Sequence, residues 1–108
     1  MKRPVETAQM TLVTIIAAFA LEERLLADLK ALGVTGYTFA GVDGRGHHGR
    51  RMRSIVDAGN VRIETLVTPT LARRILKHVV REFSRSSLVA YAHDCRSRPP
   101  RWVRLVRR

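Results

Sequence analysis

The sequence is poor in cysteine, in aromatic residues and in acids, and it has no long hydrophobic run. Its one cysteine, Cys95, excludes an intramolecular disulfide framework and favours a reducing compartment. The longest apolar stretch, residues 12–21, is interrupted by Thr14 and is shorter than the ~20 residues that a membrane-spanning helix requires. These absences predict a cytoplasmic protein with neither a disulfide scaffold nor a transmembrane segment.

The shortage of acids leaves a positive charge that is unevenly distributed. Twenty Lys and Arg stand against nine Asp and Glu in 108 residues, which gives a net charge of +11 with histidine neutral. Four arginines and no acid lie in residues 44–54, and six arginines and no acid lie in residues 95–108. The rest of the chain is nearly neutral. This distribution favours a site for an anionic ligand over a uniformly basic coat for nucleic acid.

Patterns typical of catalytic and metal sites are also missing. The adjacent His47 and His48 have no carboxylate or thiol at ligand spacing, and nothing in the sequence brings His78 or His93 to them. No serine or cysteine has a recognisable base partner, and no paired carboxylates occur. Residues 44–49 match G-x-G-x-x-G, but no amphipathic helix follows and the chain is too short for a doubly wound sheet. We predict a protein that is not an enzyme and holds no metal or cofactor.

Hydrophobic periodicity predicts the order β-α-β-β-α-β. Apolar and β-branched residues predict four strands, over residues 10–19, 36–42, 61–67 and 87–93. Leucines at helical spacing predict a helix over residues 21–32 that ends at Gly33. Thr68 and Pro69 predict the N-cap and the first residue of a second helix. This order predicts an α+β, ferredoxin-like fold, in which a four-stranded antiparallel sheet carries two helices on one face.

The second face of such a sheet would be uncovered in a single chain. Because the first and last strands are apolar on both faces, we predict that copies of the chain cover it in an oligomer. Residues 43–59 have no sustained apolar period and predict a long loop rich in glycine and arginine. Glycines let backbone N–H groups face an anion, and arginines offer forked donors that match phosphate or carboxylate.

Nucleic-acid binding is the main alternative, because RNA-recognition domains share this order of elements. Those domains stack bases on aromatic side chains of the first and third strands, whereas residues 61–67 contain no aromatic residue. Binding to a nucleic-acid backbone through the arginine-rich tail, residues 96–108, stays open, as do a disordered arm, an added strand and a docking peptide. The alternative is therefore an oligomeric nucleic-acid- or protein-binding module that acts through this tail.

Three segments of the chain resemble the PII signalling superfamily. They are residues 34–38 (Val-Thr-Gly-Tyr-Thr), 44–46 (Gly-Arg-Gly) and 60–64 (Asn-Val-Arg-Ile-Glu). The resemblance spans about residues 11–94 and implies a homotrimer that binds adenine nucleotides in the clefts between subunits. It also implies that residues 44–59 form the mobile T-loop, whose shape reports the ligand state to a partner protein.

The resemblance implies a set of ligand contacts as well. Thr38 matches the residue that contacts adenine, and Leu66 matches the strand residue whose backbone does so. The loop glycines match those near the phosphates and the ribose, and the loop arginines are candidates for phosphate or bicarbonate contacts. The expected nucleotide-binding residues are Thr38, Gly44, Arg45, Gly46, Arg53, Ser54 and Leu66, with Arg96 and Arg98 as candidates for additional phosphate contacts.

Departures from the superfamily pattern favour one branch of it. Residues 83–87 stand where the nitrogen-regulating branch has a G-D-G-K phosphate loop, and residues 44–59 contain no modifiable tyrosine. The cysteine-paired C-terminal segment of the SbtB regulators is absent too, whereas Arg53 and Ser54 resemble the SbtB-like and carboxysome-associated branch. The resemblance therefore implies ADP or AMP with bicarbonate as ligands, and a signal of inorganic-carbon or energy status. The implied target is a carbon-concentrating or carboxysome-related protein, or a transporter.

The expected organisation is a single domain with two short extensions. We expect an N-terminal extension over residues 1–9, the PII-like ferredoxin-like domain over residues 10–95 and the basic tail over residues 96–108. The expected location is the cytoplasm, with association with carboxysomes.

Overall fold

The computed structural model describes residues 6–42, 45–46, 49–50 and 59–99. A 3-10 turn, Phe19–Leu21, joins the first strand to the first helix. The strands and helices of the described residues are β1 (Ala8–Ala18), α1 (Glu22–Leu32), β2 (Thr38–Val42), β3 (Arg45–Gly46), β4 (Gly49–Arg50), β5 (Asn60–Val67), α2 (Pro69–Glu82) and β6 (Val89–Ser97).

Four of the strands form one antiparallel sheet in the order β2-β5-β1-β6. β1 is therefore central, between β5 and β6, and β2 and β6 are the two edges. The predicted ferredoxin-like fold is confirmed, because the four sheet strands and the two helices follow one another as β1-α1-β2-β5-α2-β6, which is the expected order. None of the helices in the described ranges is long and apolar enough to cross a membrane.

The strands differ from the sequence-based prediction at their ends. β1 begins at Ala8 and β6 ends at Ser97, beyond the predicted limits, and these two residues lie opposite each other. Each extension supplies the backbone partners of the other, so a pattern in one strand alone could not predict it. Residues 45–50, predicted as loop, contain the short β3–β4 ladder, in which Arg45 lies opposite Arg50.

The core lies between the two helices and one face of the sheet. Alternate residues of β1 and β5 point to this face, as the two-residue period of a strand requires. The helices contribute apolar side chains from one stripe each, at the spacing that the sequence predicts. The buried core residues from these elements include Val13, Ile15, Ala17, Val61, Ile63, Leu25, Leu29, Ile75 and Val79.

The opposite face of the sheet is called the open face here. Its residues follow from the register and from the alternation of side chains along each strand. Val89 and Tyr91 remain exposed on this face although both are large and apolar. The open face carries Met10, Leu12, Thr14, Ile16, Thr38, Ala40, Arg62, Glu64, Leu66, Val89, Tyr91, His93 and Cys95.

Both predicted helix ends are confirmed. Gly33 has a φ of 112°, in the left-handed region that favours glycine, and the Val34 N–H donates to the Leu29 carbonyl over 2.9 Å. This pair of features closes the end of α1 and turns the chain toward β2. At the start of α2, the Thr68 hydroxyl oxygen accepts a hydrogen bond from the Leu71 N–H at 3.3 Å.

Candidate functional site

The segment between α1 and β2 is held against β5. The Thr65 hydroxyl donates a hydrogen bond of 2.7 Å to the carbonyl oxygen of Gly36. Thr65 is buried on the helix side of β5, so this bond fixes the segment beside the sheet. The chain then enters β2 at Thr38, which lies opposite Glu64 on the open face.

Two of the predicted site residues come together at this edge of the sheet. Thr38 is an exposed residue on edge strand β2 and lies opposite Glu64 of β5. Leu66 follows Glu64 by two residues on the same strand. Diagonal neighbours of this kind have Cα atoms about 7–8 Å apart, on the same face. Thr38 and Leu66 therefore border one region of the open face.

The base of the predicted T-loop is closed by main-chain contacts. Val42, the last residue of β2, lies opposite Asn60, the first residue of β5. The Phe19 N–H donates to the Gly59 carbonyl over 2.7 Å, which ties the returning chain to the turn after β1. The chain thus leaves the sheet after Val42 and returns to it at Asn60, at the same end of the sheet.

The loop residues of the predicted site are described only in part. Arg45 and Gly46 form β3, with Gly46 opposite Gly49. Gly44, Arg53 and Ser54 lie outside the described residues. The predicted contacts of these five residues with a ligand therefore stay predictions.

The two arginines predicted as additional phosphate contacts are far from Thr38 within one chain. Arg96 lies on β6, where its guanidinium donates to the Thr7 hydroxyl at 3.5 Å, and Arg98 follows the strand. β2 and β6 are opposite edges, so three strand spacings, about 14 Å, separate them across the sheet. Arg96 and Thr38 could face one ligand only if the β6 edge of one chain approached the β2 edge of another.

Two charged residues beside strand β2 were not identified from the sequence as candidate site residues. Arg62 and Glu64 lie on the open face of β5, beside Ala40 and Thr38 of β2. The alternation of charged and apolar residues in residues 61–67 was the available signal. It indicated a strand with one polar face, but it did not indicate that this face adjoins Thr38. No group of three His, Cys, Asp or Glu side chains in the described ranges is arranged to hold a metal ion.

A cavity of about 380 Å³ lies beside α1. It is formed by α1 and the segment that follows it, and its lining is mostly apolar, with Leu26 and Val34 beside Lys30 and Tyr37. The cavity is on the helix side of the sheet, and Thr38 and Leu66 do not line it. It is therefore separate from the region of the open face that the predicted site residues border.

Comparison with known proteins identifies the family. The family described as nitrogen regulatory protein P-II matches residues 10–97, which is most of the chain. The chain belongs to this family, as the resemblance of residues 34–38, 44–46 and 60–64 implied. It is accordingly a PII-like signalling protein.

Several solved structures are similar over nearly the whole domain. A PII-like signaling protein from Thermus thermophilus is 35% identical, with 84% of this chain and 91% of that chain covered and a TM-score of 0.69. CPII from Thiomonas intermedia, solved with ADP and bicarbonate bound, is 26% identical over 92% of this chain and 98% of that chain, with a TM-score of 0.80. GlnK of B. subtilis, solved with ATP, is 23% identical over 81% of this chain and 82% of that chain, with a TM-score of 0.55, which supports the fold alone. No curated protein sequence matches the chain.

Proposed function

We propose that the protein is a non-enzymatic sensor that binds an adenine nucleotide, with ADP or AMP favoured, together with bicarbonate. The observation that carries this proposal is the similarity to CPII, which has been solved with ADP and bicarbonate and with ADP, AMP and bicarbonate. The position of Thr38 beside Leu66 on the open face supports it, because these residues were predicted to contact adenine.

The proposed binding site is a cleft between subunits of a homotrimer. Within one chain, Thr38 and Arg96 lie on opposite edges of the sheet, so a site that uses both needs a second subunit. The exposed apolar residues Val89 and Tyr91 on the open face favour association of the chains through this face.

The proposed signal is a change in the shape of the T-loop, residues 44–59. Arg45 and Arg53 would neutralise the nucleotide phosphates, with Gly44, Gly46 and Ser54 near the phosphates and ribose, and bicarbonate would bind near the base of the loop. A ligand can bias the loop only by the difference in its affinity for two loop conformations. Because Val42 and Gly59 anchor the base, such a change would be confined to the loop.

The proposed physiological role follows from the branch that the sequence resembles. We place the protein with the SbtB-like and carboxysome-associated proteins, as a cytoplasmic reporter of inorganic-carbon or energy status. Its target would be a carbon-concentrating or carboxysome-related protein, or a transporter. The expected organisation into residues 1–9, 10–95 and 96–108 belongs to this proposal.

Calorimetry tests the ligand. We expect heat of binding with ADP or AMP, and tighter binding when bicarbonate is present. Thr38→Val should weaken ADP binding by about tenfold, because it removes one hydrogen-bonding hydroxyl. The matched control is Thr70→Val, at an exposed position of α2 away from the open face. Absence of heat with ADP, AMP, ATP and cyclic AMP at millimolar concentration would contradict the proposal.

A second candidate function, nucleic-acid or protein binding through the tail, is favoured by the six arginines without an acid in residues 95–108. Deletion of residues 99–108 separates the two functions. Loss of RNA or DNA retention with unchanged ADP affinity would assign a distinct binding function to the tail. Loss of ADP affinity would instead place tail arginines in the nucleotide cleft.

A further inference from the structure

The cavity beside α1 has the size of a small-molecule site and no part in the proposed nucleotide cleft. Its volume of about 380 Å³ is within the range of pockets that hold small ligands, about 300–1,000 Å³. Its walls are the second half of α1 and the segment that leads from α1 into β2. Neither Thr38 nor Leu66 lines it, and the proposed trimer forms through the open face instead.

The side of α1 that lines this cavity differs from the side that meets α2. Because successive helix residues are about 100° apart, Leu26 and Lys30 lie one turn apart on one side of the core stripe. Arg24 and Asp28 lie one turn apart on the other side, where both form ion pairs with α2. Lys30 is exposed and takes part in none of the ion pairs of the described residues. Its ammonium group is therefore available to a ligand.

The wall opposite α1 is held in place by two hydrogen bonds. The Val34 N–H donates to the Leu29 carbonyl over 2.9 Å, and the Thr65 hydroxyl donates to the Gly36 carbonyl over 2.7 Å. Val34 is buried, whereas Tyr37 at the end of the segment is 44% exposed. The cavity is thus formed before any ligand binds, and it meets solvent beside Tyr37.

The lining favours one class of ligand. Leu26 and Val34 offer apolar surface, and Lys30 carries the only charge among the described residues that line the cavity. A cationic ligand would be repelled by this ammonium, whereas a carboxylate accepts a charge-assisted hydrogen bond from it. A phosphate monoester carries roughly two negative charges at neutral pH, so a single ammonium would leave it partly unpaired beside apolar side chains.

We propose that this cavity binds a small carboxylate with an apolar body. The body packs against Leu26 and Val34, and its burial supplies most of the affinity. The carboxylate accepts a hydrogen bond from the Lys30 ammonium, which selects the head group. The site goes beyond the proposed nucleotide function, because the two sites share no residue.

A nuclear magnetic resonance titration of the full-length protein with octanoate tests the position of the site. We expect saturable shifts that are largest at the backbone amides of Leu26, Lys30 and Val34. Octan-1-ol has the same apolar body without the charge, and octylamine carries the opposite charge. Octan-1-ol should bind at least about tenfold more weakly than octanoate, because it loses the hydrogen bond between two charged groups, and octylamine should bind more weakly still.

Three variants test the residues. Lys30→Gln should weaken octanoate binding by at least about tenfold and leave the affinity for octan-1-ol unchanged. Lys77→Gln, at an exposed position of α2, is the matched control and should keep the wild-type affinity for octanoate. Ala27 is an exposed residue of α1 that lines the cavity, so Ala27→Phe should fill the cavity and abolish the binding of both compounds.

Several results would overturn the proposal. They are shifts centred on Thr38 and Leu66, equal affinities for octanoate and octan-1-ol, wild-type octanoate affinity in Lys30→Gln or Ala27→Phe, and no saturable shift at all. Calorimetry with ADP keeps this test apart from that of the nucleotide cleft. Lys30→Gln should bind ADP as the wild type does, and a loss of ADP affinity in this variant would also overturn the proposal of a separate site.

Discussion

At the scale of single residues, two buried threonines in neighbouring strands have opposite surroundings. Thr14 of β1 is 1% exposed, and its hydroxyl has no hydrogen-bond partner. Thr65 of β5 is 3% exposed, and its hydroxyl donates to the Gly36 carbonyl. A buried hydroxyl without a partner keeps its desolvation cost uncompensated, whereas a bonded one recovers it.

Thr14→Val should therefore raise the free energy of unfolding by about 1 kcal/mol, because valine has the shape of threonine without the unpaired hydroxyl. Thr65→Val, the matched control, should lower it by about 1–3 kcal/mol, because the Gly36 carbonyl loses its donor. Urea denaturation of both variants measures the difference. A loss of stability in Thr14→Val as large as that in Thr65→Val would show that the Thr14 hydroxyl is bonded.

At the scale of elements, α1 and α2 are joined by a small polar cluster beside the core. His78 Nε2 of α2 lies 2.8 Å from Asp28 Oδ2 of α1. The Arg24 guanidinium lies 4.4 Å from the centroid of the Phe83 ring, and it reaches Glu82 at 3.8 Å. Since Phe83 is buried at the end of α2, this arginine covers an edge of the core while its charge meets solvent.

Arg24→Lys should lower the free energy of unfolding by about 0.5–1 kcal/mol, because an ammonium keeps the charge but cannot stack as a planar group on Phe83. Arg73→Lys is the matched control on the exposed side of α2 and should change it by less than about 0.5 kcal/mol. Thermal and urea unfolding check both variants. Equal effects of the two substitutions would exclude a specific role for stacking.

At the scale of the whole molecule, the proposed trimer depends on the open face. Tyr91 is 45% exposed there, whereas Val80, on the outer side of α2, is 72% exposed. If exposure alone drove association, Val80 would matter more than Tyr91. The proposed trimer requires the reverse, because its chains meet through the open face.

We expect wild-type protein to have the mass of three 12.2 kDa chains in light scattering or sedimentation. Tyr91→Asp should shift it toward single chains, because a charge buried between subunits without a partner is costly. Val80→Asp should leave the mass unchanged. Dissociation by Val80→Asp, or a single-chain mass of the wild type, would contradict the proposed assembly.

The ends of the helices and the presence of the four sheet strands were predictable from the sequence, because their causes are local. Gly33 ends α1 through its own backbone conformation, and Thr68 caps α2 through a bond three residues away. Strand ends were less predictable, because Ala8 and Ser97 extend β1 and β6 only by pairing with each other. The candidate site residues came from the resemblance of short segments to the PII superfamily, and their roles in binding stay predictions.

The sequence by itself determined the order of the elements, the concentration of positive charge at a loop and a tail, and membership of the PII family. The order of the elements and the distribution of charge follow from hydrophobic period, helix-capping residues and composition, all of which act over a few residues. Membership of the family follows from the resemblance of three short segments. Only the tertiary structure decided which residues lie side by side. Thr38 lies diagonally across from Leu66, Met10 lies opposite Cys95, and Arg96 lies on the far edge from Thr38. Strand register and strand order decide this, because they arise from hydrogen bonds between segments distant in sequence.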